Sequence, residues 1–214
     1  MTVAVLGHRG MLGSVVARYF AEQGADVQTT DLRYDGSGCL PSWAGKHDMT
    51  VNCITGGWLE YADLPGFLAM TAQRYIHPST DAIGEDTAYA AMKRQGEDGT
   101  RGRAVIIRAG LVDLRRQHEV AYTNWLCNPV TPLEWARIAW SHRDAQPGVY
   151  QYGREPLDRY ELSRAVRQLW HLPPPQPAIA PESSDRTLTS LVNLPPIDVA
   201  LLEYRAWLSE RASA

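Results

Sequence analysis

The stretch Thr2-Val3-Ala4-Val5-Leu6-Gly7-His8-Arg9-Gly10-Met11-Leu12-Gly13-Ser14 decides the fold. Val3–Leu6 is a short, continuous apolar run, the pattern of a strand buried on both faces. Gly7, Gly10 and Gly13 follow in a GxxGxxG spacing. Val15, Val16, Tyr19 and Phe20 then recur at helical spacing, and Gly24 stands where a helix C-cap is expected. Strand, glycine turn and helix in this order form the first half of a dinucleotide-binding β-α-β unit. Glycine permits the tight turn and a close approach of backbone to phosphate. The helix N-terminus then offers free N–H groups and a positive dipole to the pyrophosphate of an NAD-type cofactor.

Working outward, Ala25–Thr30 reads as a second strand ending at Asp31, and residues 33–47 as a loop. Met49–Ile54, Arg74–His77 and Ala104–Arg108 read as further strands, and Thr87–Gln95 as a helix; residues 59–74 hold a helix interrupted by Pro65. Thr131-Pro132-Leu133-Glu134 is a capping box that opens a helix to about His142. Val149–Tyr152 reads as a short strand, Asp158–Trp170 as an amphipathic helix, Leu172–Pro181 as a proline-rich break and Asp198–Glu210 as a last helix. Strands alternating with helices imply an α/β fold, a doubly wound parallel sheet of Rossmann type with a small C-terminal lobe. The expected division is residues 1–125 for the dinucleotide-binding domain and 126–214 for a mostly helical region that adds the last sheet elements and a substrate lobe.

The 214 residues suffice for one well-packed domain with a small addition. A net charge of −3 and the lack of any basic run argue against nucleic acid as a partner. No apolar run is long enough for a bilayer, so the expectation is a cytoplasmic protein without membrane contact. The three cysteines, Cys39, Cys53 and Cys127, lack metal-ligand spacing and read as reduced thiols, with no metal site.

Asp31 lies about twenty residues beyond the turn, where an acid accepts hydrogen bonds from the adenosine ribose of NAD. Arg9 inside the turn and Arg33 just past Asp31 are guanidinium groups suited to the extra phosphate of NADP. The two signals oppose each other, and both NAD and NADP stay open.

Downstream, Tyr89 and Lys93 are four residues apart on the helix read over 87–95, which puts phenol and ammonium on one face. Reduction of a ketone by hydride needs a proton for the developing alkoxide. A tyrosine can deliver it, and a neighbouring ammonium stabilises the phenolate. The lysine also suits a contact with the nicotinamide ribose. Only two lysines, Lys46 and Lys93, occur in a chain that takes its other positive charges from arginine. Ser79 and Thr80 end the preceding strand, where a hydroxyl can hold the carbonyl oxygen.

Taken together these residues resemble the extended short-chain dehydrogenase/reductase family, in particular its sugar-nucleotide reductases. The turn Gly7–Ser14 resembles that of GDP-L-fucose synthase. Ser79-Thr80-Asp81, Tyr89 through Lys93 to Gly96-Glu97, and Gly148-Val149-Tyr150 with Asp158–Leu162 resemble motifs of dTDP-4-dehydrorhamnose reductase. The resemblance implies Thr80, Tyr89 and Lys93 as the catalytic set. It implies Gly7, Arg9, Gly10, Met11, Leu12, Gly13, Asp31, Leu32 and Arg33 as cofactor contacts, with Cys53, Ile54, Thr55 and Gly56 lining the riboses and Tyr89 and Lys93 also touching the cofactor. It implies Arg186 on the substrate side, a nucleotide sugar with a 4-keto group as substrate, NADP or NAD as cofactor and a homodimer as a plausible assembly. An epimerase or another ketone reductase of the same family, and a non-catalytic NAD(P)-binding module, are the alternatives. Thr80 and Tyr89 are only nine positions apart, a shorter connection than in the family, which implies a strand that turns directly into the helix.

Overall fold

The computed structural model describes residues 1–30, 46–115, 117–190 and 192–210. The chain runs through β1 (Thr2–Leu6), α1 (Met11–Glu22), β2 (Asp26–Thr30), β3 (Met49–Asn52), α2 (Leu64–Thr71), β4 (Tyr75–Ser79), α3 (Ala88–Thr100) and β5 (Val105–Arg108). Two short strands follow, β6 (Val120–Tyr122) and β7 (Trp125–Cys127), then α4 (Pro132–Ser141) and β8 (Gly148–Gln151). The chain ends with β9 (Leu157–Asp158), α5 (Arg159–Leu169), β10 (Gln176–Ala178), β11 (Ser184–Arg186) and α6 (Ile197–Ser209). No described helix is long and apolar enough to cross a membrane.

These elements form two compact units, each discontinuous in sequence. The first comprises Met1–Arg108 and Trp135–Tyr150, the second Ala109–Glu134 and Gln151–Ala214.

The first unit is built on a six-stranded sheet of order β2-β1-β3-β4-β5-β8. Along β2-β1-β3-β4-β5 every pairing is parallel. β1 lies between β2 and β3, which explains its apolar run: Val3, Ala4, Val5 and Leu6 are all buried. β2, at the sheet edge, has no buried residue. Leu6, Leu64, Leu68, Ala69, Tyr75, Ala104 and Ile106 form one core cluster of this unit. From β1 the chain steps to β2 on one side and returns across β1 to β3 on the other. That reversal makes the carboxyl ends of β1 and β3 a topological switch point, where open α/β sheets take their ligands.

β4 runs two residues further than its sequence pattern shows, because it contains Pro78. Proline has no N–H for the ladder and reads as a strand end. Here the pairing with β3 stops at Ile76, two residues earlier, while Pro78 stands opposite Ile107 of β5.

The second unit holds more strand than a mostly helical reading implies. β10 pairs with β6 in parallel, and β7 is flanked by β11 and β9. Within it Arg154 is buried, donating Nε to the Pro129 carbonyl at 2.7 Å and Nη2 to Glu134 at 2.7 Å. The capping box closes as read: Thr131 N–H donates to Glu134 Oε2 at 2.8 Å, and Glu134 N–H to Thr131 Oγ1 at 3.2 Å.

Candidate active site

The glycine turn sits at the switch point. Gly7 has a φ of +73°, and a Cβ there would lie 2.8 Å from the backbone of Cys53 and Ile54. The turn and the segment after β3 therefore touch backbone to backbone. Gly13 is as tightly placed: its Cβ would meet the Gly7 carbonyl oxygen at 2.3 Å. Gly10 is the N-cap of α1, with no side-chain cap, and the first turn of α1 carries no acid. Gly10 and Arg9 are exposed, Met11 is half-buried, and Leu12 and Gly13 are buried. An exposed, uncapped helix N-terminus reached through a glycine turn fits a pyrophosphate. Gly7 and Gly13 serve this by packing, while Gly10 fronts the open side.

Across the switch point, Cys53 N–H donates to the Leu6 carbonyl at 3.0 Å, and Ile54 N–H to Asn52 Oδ1 at 3.2 Å. Cys53 is buried, and burial pushes its thiol up to about 12. Thr55 and Gly56 are exposed. Asp31, Leu32 and Arg33 lie outside the described residues.

Thr80 follows β4 and is buried. Its hydroxyl caps a 3-10 turn over Asp81–Gly84, accepting from Ala82 N–H at 3.2 Å and donating to Asp81 Oδ1 at 3.1 Å. The passage from β4 to α3 is thus not direct but holds this turn. Ser79 turns inward and donates to Glu97 Oε1 at 2.5 Å.

Tyr89 and Lys93 both lie on α3, whose N-cap Thr87 accepts from Ala90 N–H at 3.1 Å. Their environments differ sharply. Tyr89 is 40% exposed, whereas Lys93 is 8% exposed. The Lys93 ammonium donates to the Pro78 carbonyl at 3.3 Å and lies 4.5 Å from the centre of the Tyr61 ring. Burial lowers it to about 8, with Glu97 and Cys53 acting in the opposite direction. Tyr61 also meets Tyr89 edge-on, ring centres 5.5 Å apart at 89°. The phenol and ammonium are thus linked through a second tyrosine.

Tyr61 belongs to a π-helical turn, Leu59–Asp63, that leads into α2. Two close approaches set this turn and α2 against α3. A Cβ on Gly96 would lie 2.3 Å from the Tyr61 carbonyl oxygen, and one on Gly99 would lie 3.2 Å from Gly66 Cα. His77 on β4 completes the buried surroundings. Its Nδ1 pairs with the Tyr75 hydroxyl at 3.2 Å, and its Nε2 has no hydrogen-bond partner among the described residues. Burial, then the Lys93 charge, hold its imidazole well below the usual range.

The structure brings the turn and the Cys53–Gly56 segment together, and places Thr80, Tyr89 and Lys93 on adjoining elements of the same unit. Arg186 lies in β11 of the second unit, its guanidinium 5.9 Å from the Trp125 ring centre. Sequence reasoning missed Tyr61, His77 and Glu97 as neighbours of Lys93. Only Glu97 carried a signal, through its i+4 spacing from the lysine.

No family model and no curated protein matches the sequence. Solved structures match the fold. The dTDP-4-dehydrorhamnose reductase of Clostridium acetobutylicum superposes with a TM-score of 0.80 at 16% identity, covering 98% of this chain and 100% of that one. The chain has the fold of the dTDP-4-dehydrorhamnose reductases. The Bacillus anthracis enzyme of that name, in complex with NADP, gives a TM-score of 0.78 at 12% identity, covering 96% and 98%. UDP-N-acetylglucosamine 4-epimerase of Bacillus cereus gives 0.74 at 12% identity, covering 98% and 96%.

Proposed function

We propose that the chain is an NAD(P)-dependent reductase of the short-chain dehydrogenase type, acting on a nucleotide-linked keto sugar of the dTDP-4-dehydrorhamnose kind. The observation that carries this reading is the set Thr80, Tyr89 and Lys93, presented by the end of β4 and by α3 in the unit that also holds the uncapped α1 N-terminus. The likeness to solved reductases, one of them crystallised with NADP, supports it.

In this reading the pyrophosphate rests on the N-terminus of α1 at Gly10–Gly13, with Arg9 beside it. Asp31, Leu32 and Arg33 serve the adenosine ribose, and Cys53–Gly56 line the riboses. A bound nicotinamide supplies the hydride. Tyr89, exposed and on the open side of α3, donates its phenolic proton to the carbonyl oxygen as negative charge develops there. The phenolate is reprotonated from water. Thr80 holds the same oxygen by turning its O–H away from Asp81, at the loss of one hydrogen bond worth about 0.5–1.5 kcal/mol. Lys93 contributes positive charge behind the phenol and a donor for the nicotinamide ribose. Arg186 is assigned to the substrate side.

The test is cofactor absorbance with NADPH or NADH and dTDP-4-keto-6-deoxyglucose. The wild type consumes cofactor, and Tyr89→Phe slows turnover by about 10²–10⁴-fold while still binding cofactor. Equal, slow oxidation by both proteins rejects the role of Tyr89. Among the structural neighbours is an epimerase; substrate turnover without net cofactor consumption would favour that second reading.

A further inference from the structure

Behind Lys93 lies a buried polar cluster that the proposed reaction does not use. Glu97 stands one helical turn beyond Lys93 on α3 and is 6% exposed. Arg108, at the end of β5, grips its carboxylate in two places: Nε donates to Oε1 at 2.9 Å and Nη2 to Oε2 at 2.5 Å. Ser79, at the end of β4, adds a third hydrogen bond to Oε1 at 2.5 Å. Ser79 is the residue immediately before Thr80, and Pro78, whose carbonyl receives the Lys93 ammonium, is the one before that. Two side chains of α3 thus hold consecutive residues of the strand end from which Thr80 projects.

Scaffolding alone does not require this arrangement. A buried ion pair replaced by well-packed apolar residues often leaves stability unchanged or improved. A carboxylate with three donors, fixed one turn from a buried ammonium, does something an apolar pair cannot: it sets direction and charge.

We propose that Glu97 is a positioning residue for the reduction, fixing the Ser79–Thr80 turn through the Ser79 hydroxyl and opposing the Lys93 ammonium with a negative charge. The inference rests on the reading of Thr80, Tyr89 and Lys93 given above.

The groups around Lys93 leave Glu97 this part. Tyr89 and Glu97 share its helix, Tyr61 faces it from the π-helical turn, Cys53 from the end of β3, and His77 from β4. The Cys53 thiol, at about 12, is neutral at physiological pH. Burial also raises Tyr61, and His77 is held neutral. Glu97 is the only carboxylate among them.

The two lysines of the chain make a direct test possible. Lysine labelled with ¹³C at Cε yields two resonances, Lys46 and Lys93, assigned with a Lys46→Arg protein. Titration of the full chain without cofactor or substrate follows Lys93 independently of any activity. Glu97→Gln keeps the shape and an acceptor oxygen for Ser79 and Arg108 but removes the charge. The Lys93 midpoint falls by about one unit or more from its wild-type value near 8, a tenfold or greater loss of proton affinity. The high-pH limb of kcat moves down with it, more than KM does. Arg108→Gln removes the opposing cation and raises the midpoint. A folded Glu97→Gln protein with an unmoved midpoint overturns the inference. Should that variant not fold, an unmoved or lowered midpoint in Arg108→Gln overturns it instead. If the midpoints move as stated but no carbonyl is reduced, the reductase reading falls and the hold of Glu97 on Lys93 stands.

Discussion

At pH 7 the Lys93 ammonium is charged inside the fold, and holding it there costs free energy. Its fall from the ordinary 10.5 to about 8 corresponds to roughly 3–4 kcal/mol at about 1.4 kcal/mol per unit. Lys93→Met removes that cost but leaves the Pro78 carbonyl without its donor, offsetting about 1 kcal/mol. The variant is therefore expected to be more stable than wild type by about 2–3 kcal/mol at pH 7 in urea denaturation, and inactive. The pH dependence has a definite sign. The unfolded lysine binds its proton up to about 10.5, the folded one only to about 8, so wild-type stability rises with pH across that window. The advantage of the variant is full below pH 8 and is gone by about 10.5; an advantage that grows over this range refutes the argument. This lysine was legible in the sequence because the chain uses arginine almost everywhere else. Tyr61 and His77 were not, since their nearness to Lys93 is made by tertiary packing of a π-helical turn and a neighbouring strand.

At the scale of elements, the glycines separate packing from backbone strain. A Cβ at Gly13 would stand 2.3 Å from a backbone carbonyl oxygen that cannot move without opening the turn. A Cβ at Gly24 meets nothing within 4 Å, and only its φ of +83° resists substitution. Gly24→Ala is expected to cost about 1 kcal/mol and leave cofactor affinity unchanged. Gly13→Ala is expected to cost roughly 2–4 kcal/mol and abolish tight cofactor binding, since the displaced α1 no longer presents its N-terminus. Thermal melts with and without NADPH check both; equal losses in the two variants would show that the close approach is not decisive. The turn and the capping box were legible because their signals are local. β6, β7, β10 and β11 were not, being three residues each, too short for a periodic pattern and, in β10, carrying Pro177. β6, β10 and β11 pair only with segments more than fifty residues away, and β7 adds to its distant partner β11 only the two-residue β9, about thirty residues on.

Over the whole molecule, the alternation of strand and helix was enough to anticipate the parallel sheet, whereas the discontinuous division into units was not, since the sequence carries no linker at residues 108–109 or 134–135. The sheet order puts the glycine turn at the switch point, and a ligand bound there stabilises the folded chain as a whole. At a hundred times its dissociation constant a cofactor adds about 2.7 kcal/mol, which for a chain of this size raises the melting temperature by roughly 5–10 °C. That shift can discriminate between the cofactors. Arg9 is exposed within the turn and suited to pair with a 2′-phosphate, an interaction that salt screens. NADPH is therefore expected to shift the melting temperature more than NADH at equal concentration. Arg9→Ala should remove most of that difference without reducing the shift with NADH, and added salt should narrow it in the wild type. Should NADH shift the wild type as much as NADPH, Arg9 is not a phosphate ligand, and the weight passes to Asp31 as a ribose acceptor for NAD.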